Sequence, residues 1–345
     1  MKKTVLMLAV AGMTMAACTN SEVLDSATEA QTGKITFNTH VNKPTTKANL
    51  STETLDKFWV SGYYTHTAAG SSNIQVFNKA QVSKEGDNWK MTDERYWLKD
   101  AKYHFFAYSD GGNSYANANF NLADGKLVIA DYVVNPQSHD KDLIFAATEE
   151  ITGKESGNEK VALTFRHLLT KMQFTFKNRF TGDYKINISD LKIEGIRSKA
   201  SYNQAAAPGQ WTFGDDTRVV ATLPVEGDAI NGNGSAEEDK IVTTGFKYVL
   251  PRVYEQADVK ISFKFDVYPK SNDGSWSTTP IYGNTLYTSL KPNWSVGSQY
   301  NYNVELAGGA ATGLEKIEFT VTQVDEWGNV TEITEGLNFS TTISE

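Results

Sequence analysis

Cys18 is the sole cysteine of this 345-residue chain, and it stands directly behind Ala16 and Ala17. A short basic start (Lys2, Lys3), an apolar run from Val5 to Met15 and two small residues before a cysteine make the pattern of a lipoprotein signal, with Met15 where Leu is usual. The apolar run is too short to span a bilayer. The chemistry implied is removal of residues 1–17, diacylation of the Cys18 sulfur and acylation of its new amino terminus. Several acyl chains, at ~0.8 kcal/mol per buried CH₂, anchor a protein stably to a membrane. With its only thiol so used, the folded part of an exported chain has neither a disulfide nor thiol chemistry.

The second reactive position is a peptide bond. Lys47-Ala48 lies in a loop with Pro44, Thr45 and Thr46, and a trypsin-like protease cuts after lysine; Lys43 is the poorer candidate because Pro44 follows it. Ahead of the loop, Ile35, Phe37, Thr39 and Val41 alternate with Thr36, Asn38, His40 and Asn42, the period-2 pattern of a half-buried strand. A cut at Lys47-Ala48 would free this strand, leaving an unpaired sheet edge and an empty apolar groove. A strand from another subunit can then fill both. The tail from Gly328 to Glu345 carries Leu337, Phe339, Thr341 and Ile343 at period 2. It is either such a donor strand or the last strand of its own sheet.

Other reactive residue types are present without a supporting pattern. His139-Asp140-Lys141-Asp142 holds metal-ligand types, but Lys141 sits among them and no second cluster is visible. His167, between apolar runs, reads as a core or bulge residue. The loop from Gly227 to Lys240 is rich in oxygen ligands without EF-hand spacing. There is no GxSxG, no phosphate-binding glycine loop and no CxxC, so neither an enzyme nor a cofactor is expected. The formal net charge is −8, and removing residues 1–17 with Lys2 and Lys3 takes it to −10, which argues against nucleic acid as a partner.

The elements that must position these residues read as strands. Phe58 to Tyr64, Tyr103 to Tyr108 and Leu143 to Ala147 are short apolar runs; Val161 to Phe176 is the strongest apolar segment of the first half. Between its two alternating stretches, Arg166 to Leu169 reads as a bulge or a single helical turn. Val259 to Tyr268 alternates strictly, and Tyr300, Tyr302, Val304 and Leu306 share a face. Glu85-Gly86-Asp87-Asn88 and Asn272-Asp273-Gly274 are hairpin turns. Many short strands at turn-delimited spacing predict an all-β sandwich architecture. The expected organisation is a signal peptide (1–17), a tether (18–33), an N-terminal β-sandwich (34–180) with a removable first strand (34–48), and a C-terminal β-sandwich (181–345) whose tail is 328–345.

Several segments, in order, resemble the fimbrillin family of Bacteroidota, the Mfa-like and FimA-like subunits of type V pili. They are Tyr96-Trp97, Phe105 to Tyr108, Asp142 to Ala146, Leu163 to Met172, Tyr248 to Pro251 and Trp294 to Tyr302. The resemblance implies two tandem transthyretin-like β-sandwich domains. It also implies a lipoprotein precursor on the outer membrane, trimmed outside the cell by a trypsin-like protease and polymerised with other pilin subunits by donor-strand exchange for adhesion. The competing expectation is a cell-surface carbohydrate-binding lipoprotein, in which Trp59, Trp211 and Trp276 would stack on sugar rings from one exposed face.

Overall fold

The structure, a computed structural model, describes residues 31–41, 51, 53–66, 71–112, 114–137, 141–153, 160–180, 182–204, 210–214, 217–225, 230, 241–255, 258–309, 313–325 and 329–333, with side chains described from 33 to 307. Every regular element among them is a β-strand. Cys18, Lys47, Ala48, Leu337, Phe339 and Ile343 lie outside the described residues, as do His139, Asp140 and the 227–240 loop apart from Ile230.

The first sheet has eight strands. At one edge lies β2 (Phe37–Val41), then β12 (Val161–His167), β10 (Ile144–Ala147), β7 (Lys102–Ser109), β3 (Lys57–Thr65), β4 (Ile74–Glu85) and β5 (Asn88–Met91), with β11 (Ile151–Thr152) beside β7. A short ribbon pairs β1 (Gln31–Lys34) with β6 (Tyr96–Leu98). The second sheet runs β16 (Gln210–Thr212), β15 (Lys199–Asn203), β9 (Lys126–Val133), β8 (Ala118–Asn121). In the third, β13 (Thr170–Asn178) is flanked by β22 (Gln299–Gly309) on one side and by β18 (Ile241–Thr243) and β19 (Lys247–Val249) on the other; β23 (Gly313–Asp325) and β24 (Asn329–Ile333) extend it beyond β22. The fourth runs β17 (Arg218–Leu223), β14 (Tyr184–Arg197), β20 (Val259–Pro269), β21 (Tyr282–Leu290).

Three hydrophobic cores follow. Phe58, Val60, Tyr103, Phe105, Ala107, Ile144 and Ala146 point from the first sheet into a core shared with Ile35, Phe37 and Val41. Their sequence neighbours Trp59, Phe106, Tyr108, Leu143 and Phe145 point the other way, into a middle core closed by the second sheet. A sheet covered on both faces reads as continuous apolar runs, which is why β3, β7 and β10 show no alternation. The third core packs the third sheet on the fourth through Phe174, Phe176, Ile193, Phe263 and Tyr302.

Close approach excludes a side chain at Gly62 in β3, where a Cβ would stand 2.6 Å from Phe105 Cδ1 and 2.7 Å from the His104 carbonyl oxygen. β4 is one long strand with a bulge beside Lys79, which has φ +52° and whose amide donates to Ser61 Oγ at 3.0 Å. The Val161–Phe176 segment contains neither a helical turn nor a bulge at Leu168-Leu169. It is a crossover, with β12 in the first sheet and β13 in the third. Strand partners therefore change at Leu168-Leu169. Because Leu168 and Leu169 are buried in the middle core, that change leaves no polar punctuation in the sequence.

Candidate assembly site

The segment 31–41 runs across two partners. Gln31 and Lys34 stand opposite Leu98 and Tyr96, and the Ile35 amide donates to the Arg95 carbonyl at 2.8 Å. The chain then crosses to β12, where Phe37 to Val41 pair in parallel with Val161 to Phe165 and the Val161 amide donates to Thr36 O at 2.7 Å. Among the described residues β12 is the only ladder partner of β2, so β2 is an edge strand.

Its side chains do more than its ladder. Ile35, Phe37 and Val41 are buried, Thr39 is half-buried, and Asn38 and His40 face solvent. The Phe37 ring meets Phe105 edge-on at 5.6 Å between centroids and lies 6.1 Å from both Phe58 and Phe77. Full burial of three such side chains is worth ~1.5–3 kcal/mol each, and each ladder hydrogen bond about 1 kcal/mol net. A cavity of about 140 Å³ lies alongside, lined by Ile35, Thr36 and Phe37 on one wall and Val82, Trp89 and Met91 on the other. Lys34 is ion-paired with Glu94, holding that carboxyl below its usual range. The pair is exposed and contributes little to retention of the strand.

Ile35, Phe37 and Val41 thus share one buried core. Were β2 to leave, β12 would expose an edge whose side chains alternate buried and exposed along its whole length, with a groove floored by Phe58, Phe77 and Phe105.

The tryptophans do not share a face. Trp59 is 4% exposed and stacked on Tyr108 at 5.7 Å. Trp211 donates from Nε1 to the Leu168 carbonyl at 3.0 Å and packs on Tyr202. Trp276 alone of the three lies near surface cations, with Lys270 at 5.5 Å and Lys185 at 6.0 Å from its ring.

A buried polar cluster escaped the sequence reading. His167 Nδ1 and Asp142 Oδ2 are 2.5 Å apart with both side chains almost fully buried, and Asp142 Oδ1 has no hydrogen-bond partner among the described residues. The sequence reading placed His167 in the core or at a bulge and Asp142 among metal-ligand types, without pairing the two. Lys171 is also fully buried, with Nζ 3.7 Å from the centre of the Phe246 ring. Burial pushes its ammonium down to about 8, although the Asp142 charge pulls the other way. Among the described residues no group of three or more His, Cys, Asp or Glu is arranged to hold a metal ion.

Lys171 should leave a mark on the pH dependence of stability. Between about pH 8 and its unfolded value of 10.5 the unfolded chain keeps a proton that the folded chain has lost, so stability rises with pH across that window. The shift corresponds to about 3 kcal/mol. Lys171→Met should abolish this rise relative to the wild type, as measured by denaturant unfolding between pH 7 and 10.5.

Comparison with known proteins agrees with this architecture. Residues 26–323 match the family described as fimbrillin-like. The chain is 24% identical over 271 residues to a Bacteroides uniformis protein named fimbrium subunit Fim1C, covering 67% of this chain and 85% of that one. Its fold is similar to that of a fimbrial protein from Bacteroides vulgatus, with a TM-score of 0.62 at 17% identity over 84% of this chain and 99% of the other. It is also similar to a protein described as a cell adhesion protein from Bacteroides eggerthii, with a TM-score of 0.50 at 11% identity over 86% and 97% of the two chains. With that match covering well over half of its length, the chain belongs to the fimbrillin-like family.

Proposed function

We propose that this chain is a structural subunit of a surface fimbria that assembles by donor-strand exchange. It is exported as a lipoprotein and held on the outer membrane through Cys18. Its groove is kept filled by its own strand 34–48 until a trypsin-like protease cuts at Lys47-Ala48. The observation that carries this reading is the segment Ile35 to Val41: β2 is an edge strand with one ladder partner among the described residues, and Ile35, Phe37 and Val41 are sunk in the first core. Such a strand is separable from the sheet, and its departure leaves both an open edge and matching pockets. Leu337, Phe339 and Ile343 offer replacement side chains at the same period-2 spacing, so we assign the donor role to the tail 328–345. Exchange of one apolar strand for another needs no nucleotide. The carbohydrate-binding alternative is weaker on geometry, since Trp59 and Trp211 are engaged in packing.

Treating the purified precursor with a trypsin-like protease should yield a new amino terminus at Ala48, followed by an SDS-resistant ladder. Deleting 328–345 should abolish the ladder but not the cut. A chain that is cut there and stays monomeric would remove self-polymerisation.

A further inference from the structure

The fourth sheet ends in an arrangement that strand pairing alone does not favour. Arg197, the last residue of β14, stands directly opposite Arg218, the first of β17. Like charges facing each other across an antiparallel ladder are destabilising. Immediately beyond, the chain passes through Ser198 into β15 of the second sheet, so the two arginines flank the point where the paired strands change sheets. A third, Arg252, arrives from the segment after β19, its guanidinium carbon 4.7 Å from the Phe213 ring centre and 5.6 Å from that of Tyr254. The Tyr254 hydroxyl accepts from the Arg197 amide at 3.0 Å, tying the third segment to the first. Arg218 is ion-paired with Asp258 at 3.4 Å, both side chains 35% exposed.

Three guanidiniums thus converge in a chain whose net charge is −8. Arg197 registers the crowding: burial first, then the charges of Arg252 and Arg218, hold its guanidinium below its usual range against the opposing pull of Asp258 and Tyr254. Asp215 and Asp216, just before Arg218 in sequence, lie outside the described residues. Val220 and Val253, at 54% and 60% exposure, add apolar surface on the same two segments as Arg218 and Arg252.

We propose that Arg197, Arg218 and Arg252 form a binding site for the carboxylate or sulfate group of an acidic sugar. An arginine packed beside aromatic rings presents its donors as a fork, which suits a planar or tetrahedral oxyanion. The anion joins Asp258 as a counter-charge to the crowded arginines, while Val220, two residues along β17 from Arg218 and so on the same face, offers contact to the apolar face of a sugar ring. The cluster is compact rather than extended along a strand, which fits one charged group better than a run of acidic peptide. The site goes beyond the assembly reading and stands whether or not the chain polymerises.

The test is calorimetric titration of the uncut chain with sialyllactose, 6-sulfolactose, neutral lactose and an octaglutamate peptide. One or both acidic sugars should bind, with lactose weaker by about tenfold or more. Which of the two binds tells carboxylate from sulfate. Arg218→Gln and Arg252→Gln should each weaken that binding by about tenfold, with circular dichroism showing an unchanged fold. If Arg252→Gln unfolds, the exposed Arg218→Gln decides alone. Binding of neither acidic sugar, equal binding of lactose, unchanged binding in the folded variants, or tighter binding of octaglutamate would each overturn the proposal.

Discussion

Phe37→Ala in the uncut chain is expected to lower unfolding stability by about 3–5 kcal/mol. Phe37 is 2% exposed and touches rings from β3, β4 and β7, so truncation strips contacts from three strands at once. The space left joins a cavity already present beside Ile35 and Thr36, so the walls have little to collapse onto. The loss has a ceiling peculiar to an edge strand. Once it exceeds what β2 contributes, the strand detaches and the rest of the sheet remains. Hydrogen exchange separates these outcomes: amides of β12 should lose protection while those of β20, in a different core, keep theirs. Asn38→Ala, one residue along and facing solvent, should change stability by no more than about 0.5 kcal/mol. A uniform fall in protection across both strands would show that β2 is an integral part of the fold and not a separable one, and would count against strand exchange.

Where one face of a strand is buried, the sequence announced it. The alternation of β2, β12, β20 and β22 maps directly onto burial because each presents a single apolar face. Where both faces are covered, as at Phe58-Trp59-Val60, periodicity vanishes and the run says only that it is buried. Pairing was less legible still. Nothing in five residues from Phe37 to Val41 names Val161 to Phe165 as the partner, or specifies that the two run parallel. The Asp142–His167 contact joins residues 25 apart in the chain, and no local pattern pairs them. The Arg197–Arg218 juxtaposition depends on a ladder register that includes a bulge between Glu194 and Ile196; Gly195, at φ +81°, marks the bulge but not the partner strand.

The second large effect is expected at Asp142. Asp142→Ala should cost about 3–5 kcal/mol, because it strands His167 in an apolar site without its 2.5 Å partner. It also withdraws the one charge that raises the Lys171 ammonium, so the alkaline gain in stability should begin below the wild-type value of about 8. The pair sits where the first sheet hands the chain to the third. His167 closes β12, Leu168 donates its amide to the Leu143 carbonyl at 2.8 Å, and the Gly297 amide reaches Leu169 O at 3.1 Å. Thr170 Oγ1 adds a bond to the Ser295 carbonyl at 2.7 Å. Loss of Asp142 should therefore reduce amide protection in both β12 and β13, unlike Phe37→Ala, which should spare β13. Asp142→Asn keeps the shape and an acceptor for an imidazole N–H, but not the charge. If shape and the hydrogen bond suffice, its loss should be about 1–2 kcal/mol. If Asp142→Asn falls as far as Asp142→Ala, the junction depends on the charge itself. Lys171→Met should then recover part of that loss when combined with either variant, because the two substitutions share one buried cluster and should not add.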